Sequence, residues 1–583
     1  MKIRTSPLVI TLTLVCIGLL PKMQAVSPPP DGGYANFTTA EGTNALQSLT
    51  TGSANTAVGW FSLFSNTDGS FNAATGAGTL LFNTGNNNTA TGAAALLFNS
   101  DGDNNTAVGT AALLHNDSDA NTAVGAFALN SNTTGFGNTA IGINALLKNT
   151  TGNGHTAIGY QALQNNTAPG GFGGNTAVGV NALGTNTTGN ANTAIGASAL
   201  IHNEIGSLNT ATGAVALFNN TQADGNTANG FEALFTTTVG AYNTATGYHA
   251  LLNNTESYNT AYGAQALENN TIGTHNTATG TVALFSNTEG DNNTAIGDGA
   301  LVSNTLGGGN TAVGYQALTL NDTGTNNTAI GINAESHDTN GSNNVAVGID
   351  ALLNNNGGFQ NVAIGWDALQ NNVTGFDNIA IGYSAGHFIT GNDNIDIGNP
   401  GVAGESGVTR IGSGLDSKTF VSAIRGVTTD NANAIPVLID SAGQLGTLSS
   451  SRRFKHDIKP MEKISEAILA LRPVTFRYNS DKTGTAQFGL IAEEVAEVNP
   501  DLVVRDEKGD IYTVRYDAVN ALLLNEFLKE HKAFLQEQSK VRKLEAALEA
   551  VNARLKEQEA KIEKVSARIE LNNSAPQMAG NQR

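Results

Sequence analysis

Asn138-Thr139-Ala140-Ile141-Gly142-Ile143-Asn144-Ala145-Leu146-Leu147-Lys148-Asn149 is answered, 17 residues on, by His155-Thr156-Ala157-Ile158-Gly159-Tyr160-Gln161-Ala162-Leu163-Gln164-Asn165-Asn166. The phrase Asn-Thr-Ala-Val/Ile-Gly recurs 21 times between Asn55 and Gly398, spaced by 16 or 17 residues. One 20-residue interval holds Ala168-Pro169-Gly170-Gly171, and a degenerate copy precedes the series over 36–54. A unit this short cannot bury a core of its own, so the copies must stack.

Comparing copies within the chain separates fixed positions from free ones. Counting the lead Asn as zero, position two is Ala in all but the last copy, position four is Gly, position eight is usually Leu and position eleven usually Asn. Position three varies freely: Val58, Thr75, Ile195, Asn229, Tyr262. Ala and Leu therefore point into a thin interior and the variable position points away from it. Gly permits a corner or a close backbone approach, and Asn suits turns and stacks its amide on the next rung. A strand of about four residues, a turn, a second short strand and another turn fill the period. That predicts a parallel β-solenoid or β-roll, on the order of 100 Å long at roughly 4.8 Å per rung. The density of Gly, Asn and Thr argues against a helical solenoid, and the strict Ala/Leu phase against disorder.

Charge separates the shaft from the rest. Residues 51–400 carry one basic residue, Lys148, and 21 acidic ones, whereas 451–583 carry 22 basic and 21 acidic. The net charge of -19 belongs almost wholly to the repeats. An acidic rod repels nucleic acid and anionic membrane, which excludes both as partners. Asn-x-Thr triplets are by-products of the repeat. Gly170-Gly171-Phe172-Gly173-Gly174 lacks the Asp of a calcium-binding roll, so no metal site and no cofactor is expected. The Thr after each lead Asn could form a ladder matching ice or a glycan, although a strand residue with its hydroxyl satisfied along the stack is the favoured explanation.

At the N-terminus, Lys2 and Arg4, the apolar stretch Leu8–Leu20 and Ala25 read as a signal peptide cut before Val26, with a retained anchor as the rival. Cys16, the only cysteine, lies inside it, so the exported chain has no disulfide. Between 401 and 449, strand-like pieces at Thr409–Gly412, Phe420–Val427 and Ile435–Asp440 form a connector that caps the stack.

From Ser450 the pattern changes again. Ser450-x-x-Arg453-x-Lys455-x-x-Ile458 precedes an amphipathic helix (Ile464, Ile468, Leu471), strands at Val474–Tyr478 and Phe488–Ile491, and a short helix Ala492–Val498. Two strands flanking Asp510 follow, and Tyr516-Asp517 enters a helix. With Leu471-Arg472-Pro473-Val474-x-Phe476 and Phe488-Gly489-Leu490-Ile491-Ala492-Glu493-Glu494-Val495, this resembles the intramolecular chaperone of endosialidase tailspikes. The repeats resemble, more loosely and at a different period, the heads of trimeric adhesins. The chaperone resemblance implies a homotrimer and self-cleavage of the Ser449–Ser450 bond, with Ser450 as nucleophile and Lys455 as its general base. A Lys acts as base only when desolvated or crowded by positive charge, and Arg452 and Arg453 are adjacent. Five residues apart, the pair can meet only across a turn or an extended segment. Ser451 stands where the family often has Asp, and His456 reads as a surface residue.

The last helix repeats Val541, Leu544, Leu548, Val551, Leu555, Gln558, Ile562, Val565, Ile569, the a/d spacing of a coiled coil. A helix packed on its own domain is the alternative. The chain is thus expected to be mainly β: signal peptide 1–25, N-terminal segment 26–54, shaft 55–398, connector 399–449, α+β chaperone domain 450–530, coiled coil 531–571 and frayed tail 572–583. Expected partners are further copies of the chain, in a secreted or cell-surface trimer, and a cell-surface or glycan ligand. A purely structural fibre with an inert chaperone is the rival reading, as is a glycan-binding adhesin. No feature resembles a substrate pocket for cutting other proteins.

Overall fold

The computed structural model describes residues 35–167, 174–413, 415–416, 421, 435–439, 444–447, 449–506 and 508–572. The expected signal segment 1–25 with Cys16, the piece Phe420–Val427 apart from Val421, and residues 573–583 lie outside the described residues. Contacts divide the chain into two compact units, 1–420 and 421–583.

The first unit is a parallel β-solenoid. Each repeat gives one three-residue strand, from β1 (Thr39–Glu41) and β2 (Thr56–Val58) to β22 (Ile395–Ile397), with β23 (Thr409–Ile411) beyond the last repeat. All 23 strands form one sheet. The repeat itself sets the register: Thr139, Ala140 and Ile141 pair with Thr156, Ala157 and Ile158. The degenerate first copy is a full rung, its Ala40 paired with Ala57.

Each rung holds one strand where two were expected; its other side is a run of turns. The reason lies in the backbone. Asn144 and Leu146 take φ of 60° and 52°, and the equivalent residues do so in nearly every rung, which breaks any extended run. Left-handed φ costs an L-residue about 1–2 kcal/mol. Burying a leucine side chain contributes about 1.5–3 kcal/mol in return. Hydrogen bonds along the stack hold the conformation, Leu146 N–H donating to Ala162 O at 3.0 Å and Asn144 N–H to Ala126 O at 3.1 Å.

Ala140 and Leu146 are buried, like their counterparts along the stack, and a second alanine, Ala145, shares the interior. The asparagines do more than turn the chain. Asn138 and Asn149 both donate Nδ2–H to Gly152 O, at 2.8 and 3.0 Å, and Asn149 also donates to Asn132 Oδ1 at 2.9 Å. His155 N–H donates to Asn138 Oδ1 at 2.9 Å, so two buried amide ladders run through the shaft. Where His155 itself replaces the lead Asn, burial lowers its pKa to about 4 and keeps the ring neutral.

The glycine at position four packs backbone against backbone. Gly247 has φ of 141°, and a Cβ there would stand 2.3 Å from Gly263 O. Gly247→Ala is expected to destabilise the shaft by at least about 3 kcal/mol, read as a shifted unfolding midpoint in denaturant.

Two rungs carry acidic side chains inside. Near the end of the stack Asp396 takes the alanine position, between Ala380 and Arg410. Burial, reinforced by Glu405 and opposed by Arg410, raises its pKa to about 6. Arg410 Nη2 pairs with Glu405 Oε2 at 2.7 Å and closes this end with an ion pair. The other is the rung of Asn327, where Glu335 replaces the leucine and Asp338 the asparagine; both are fully buried.

Candidate cleavage site and assembly unit

The second unit begins, among its regular elements, with two short antiparallel pieces, β24 (Leu438–Ile439) and β25 (Leu445–Gly446). Ser450 follows in an exposed, irregular segment, and Ser451 is extended with φ of -66° and ψ of 142°. A single 3-10 turn spans Arg452–Phe454, closed by Phe454 N–H to Ser451 O at 3.0 Å and Lys455 N–H to Arg452 O at 3.1 Å. One turn therefore lies between the two expected catalytic residues. Ser450 and Lys455 are both exposed, and no hydrogen bond joins them among the described residues. Arg453 places its guanidinium 4.6 Å from the Phe454 ring centre. The His456 side chain is 95 % exposed, 3.9 Å from Asp457.

Around this segment the fold is a small α+β framework. A 3-10 helix, Glu462–Ala470, leads into an antiparallel pair, β26 (Val474–Phe476) with β27 (Gln487–Gly489). Helix Ala492–Val498 follows where expected, and a second pair, β28 (Val503–Arg505) with β29 (Ile511–Val514), flanks Asp510. Val495, Leu502, Val503, Val514 and Leu522 form the core. The motif residues singled out in the sequence hold this frame. Arg472 Nε–H donates to Glu494 Oε2 at 3.1 Å, and Leu490 N–H donates to the Tyr516 hydroxyl at 3.0 Å. Their spacing is architectural.

One cluster was not anticipated. Ser465, fully buried, donates to Glu526 Oε1 and accepts from Asn525 Nδ2 at 2.6 Å and from Lys529 Nζ at 3.0 Å. It is a serine–lysine contact, but Lys529 also meets Glu526 at 2.6 Å, and that pairing holds the glutamate below its ordinary pKa. With Ser465, Asn525, Glu526 and Lys529 bonded to one another, this cluster pins the 3-10 helix to the terminal helix. Only Ser465 on the buried side of an amphipathic helix hinted at it.

The terminal helix runs unbroken from Tyr516 to Asn572, 57 residues, or about 86 Å at 1.5 Å per residue. The helix thus begins well before the coiled coil expected at 531. Its heptad residues are uncovered, with Leu544 69 % and Ile562 63 % exposed. Among the described residues, no helix is long and apolar enough to cross a membrane.

Residues 450–504 match the family described as chaperone of endosialidase. The chaperone match opens on Ser450 and takes in the 3-10 turn, the β26–β27 pair and the helix Ala492–Val498. Neither a curated protein nor a solved structure proved similar to the chain. A parallel β-solenoid followed by a chaperone-of-endosialidase segment fits a tail-fibre-like protein.

Proposed function

We propose that this chain is an exported homotrimeric fibre whose C-terminal chaperone segment assembles the shaft and then cuts itself free between Ser449 and Ser450. The observation that carries the reading is the uncovered heptad seam on the terminal helix that follows the chaperone match. Val541, Leu544 and Leu548 alone expose 49 %, 69 % and 62 % of their surface, which a single chain in water does not sustain. Further copies of the same helix cover such a seam, and the family implies three.

Assembly from the tail has a physical purpose. Neighbouring rungs are nearly interchangeable, so three shafts meeting at random would slip by one copy. A coiled coil fixes register and raises local concentration before the shafts associate.

In the cleavage step, Ser450 Oγ attacks the Ser449 carbonyl carbon while Lys455 takes the hydroxyl proton. The amide C–N bond breaks, the leaving nitrogen takes a proton to become the Ser450 amine, and an ester links the two residues. Water then hydrolyses that ester, leaving a Ser449 carboxylate and restoring the hydroxyl. Lys455 is exposed in the single chain, so the desolvation that this chemistry requires falls to neighbouring copies in the trimer. That exposure also favours one rival, a structural fibre whose chaperone stays attached.

Sedimentation equilibrium tests the assembly. The full chain is expected at three times its 59.9 kDa, less whatever processing removes. Leu548→Lys with Leu555→Lys, both exposed in the single chain, should leave monomers. A well-folded monomer with the native sequence would overturn the reading.

A further inference from the structure

We infer that the outward face of the solenoid's sheet is the surface on which copies of this chain meet along the shaft. The inference rests on the trimeric reading and names the face through which it is realised.

Each strand turns its middle residue inward and its first and third residues outward. From β2 to β22 none of those outward residues is charged, although the same stretch of chain carries 21 acidic residues. The carboxylates lie inside rungs or on the turns, as at Asp101, Glu204 and Asp322. Two such acidic rods repel through faces that present those carboxylates. The sheet offers a long surface free of charged side chains.

Its chemistry suits close contact between flat faces. The first outward row is Thr in every strand from β4 (Thr89–Thr91) to β18 (Thr328–Ile330). The second row is chiefly Val, Ile and Thr, and in-register pairing aligns both rows along the shaft, Thr193 over Thr210 and Ile195 over Thr212. β-Branched side chains are stiff, so ordering them at an interface costs little entropy. Two rows about 7 Å apart, along a stack on the order of 100 Å, present roughly 700 Å² per copy, which adds to the contact made by the terminal helices.

The face is graded. In the last four strands of the repeat, β19 (Val345–Val347) to β22, threonine disappears and both rows become Val or Ile. This most apolar stretch lies at the end of the shaft from which the chain continues toward the chaperone segment. Association nucleated by the terminal helices therefore meets its strongest shaft contact first and proceeds along threonine rows toward the N-terminus. A ligand-binding face gives no reason for this gradient to lie at that end.

Cysteine labelling on the chain expressed from Val26, which has no other cysteine, tests this. Thr227 and Ile364 are exposed on the sheet face, and Gln222 is exposed on a turn. In a trimer verified by sedimentation, Thr227→Cys and Ile364→Cys should react with maleimide at least about tenfold more slowly than Gln222→Cys. Both should also join chains through a short bismaleimide, which Gln222→Cys should not. Restoring the monomer with Leu548→Lys and Leu555→Lys should abolish the protection. A trimer with freely reacting sheet-face cysteines overturns the inference and leaves the trimer standing. Protection without cross-linking overturns it in favour of another occupant, and a native monomer removes the reading beneath it.

Discussion

Expressed from Val26, the chain should yield a 134-residue fragment beginning at Ser450, and Ser450→Ala should abolish it. Removing a nucleophile or its base slows such reactions by at least about 10³-fold, so the loss should be complete on a gel. Lys455→Ala should act the same way, whereas Lys455→Arg keeps the charge and still lacks an accessible free base. Ser465→Ala is the informative control. It removes the buried contact to Glu526, Asn525 and Lys529, costing about 1–3 kcal/mol of stability, and should leave the cut intact in trimers. Leu548→Lys with Leu555→Lys should block cleavage without touching Ser450, because Lys455 is exposed in the single chain and the proposed chemistry needs it desolvated. Intact mass spectrometry reads every outcome. An uncut native trimer would sink the proteolytic reading and leave the chaperone as an assembly device alone.

The second large effect is a gain. Glu335 and Asp338 occupy a leucine and an asparagine position, and four buried oxygens along that stretch have no hydrogen-bond partner: Asn321 Oδ1, Glu335 Oε2, Asp338 Oδ2 and Asn355 Oδ1. The ladder explains the mismatch. Asn321 Oδ1 accepts in a regular rung from the amide one copy on, and Asp338 has no amide to give. Burial, then the neighbouring Asp338, drives the Glu335 carboxyl well above its ordinary pKa of 4.5, and burial also raises Asp338. Glu335→Leu with Asp338→Asn restores the repeat and should stabilise the shaft by about 2–4 kcal/mol.

The pH dependence follows from the sign. The folded shaft retains a proton on Glu335 that the unfolded chain releases above about pH 4.5. Stability is therefore full below that pH and falls as pH rises toward the raised folded pKa. Asp396 adds a similar loss between its ordinary 3.8 and about 6. Denaturation of the native and restored chains from pH 4 to 9 should show the gap widening toward alkaline pH. A gap that stays constant would mean that Glu335 does not hold its proton.

The solenoid was legible because selection within one chain is visible 21 times over. Ala at position two, Leu at eight and Asn at eleven each had to recur because each touches its own copy in the next rung. Position seven, where Ala145 is buried, recurs as plainly and passed unread because a strand-based phase does not bury neighbours. The second strand was wrongly expected for a related reason. Nothing intrinsic to Asn144 or Leu146 announces left-handed φ; stacking imposes it against local preference. In the assembly unit the helix Ala492–Val498 and the strands around Asp510 stood close to where the pattern put them. Contact between Ser450 and Lys455 is a different matter, since both are exposed and no hydrogen bond joins them among the described residues.

Because every rung bonds only to the rungs before and after it, nothing in the shaft measures its total length. Slippage between near-identical stretches of coding sequence can add or delete whole units in frame, and each product meets the same neighbours as before. Reach is thus an evolvable dimension of this fibre, adjustable by recombination without a new folding solution at any step.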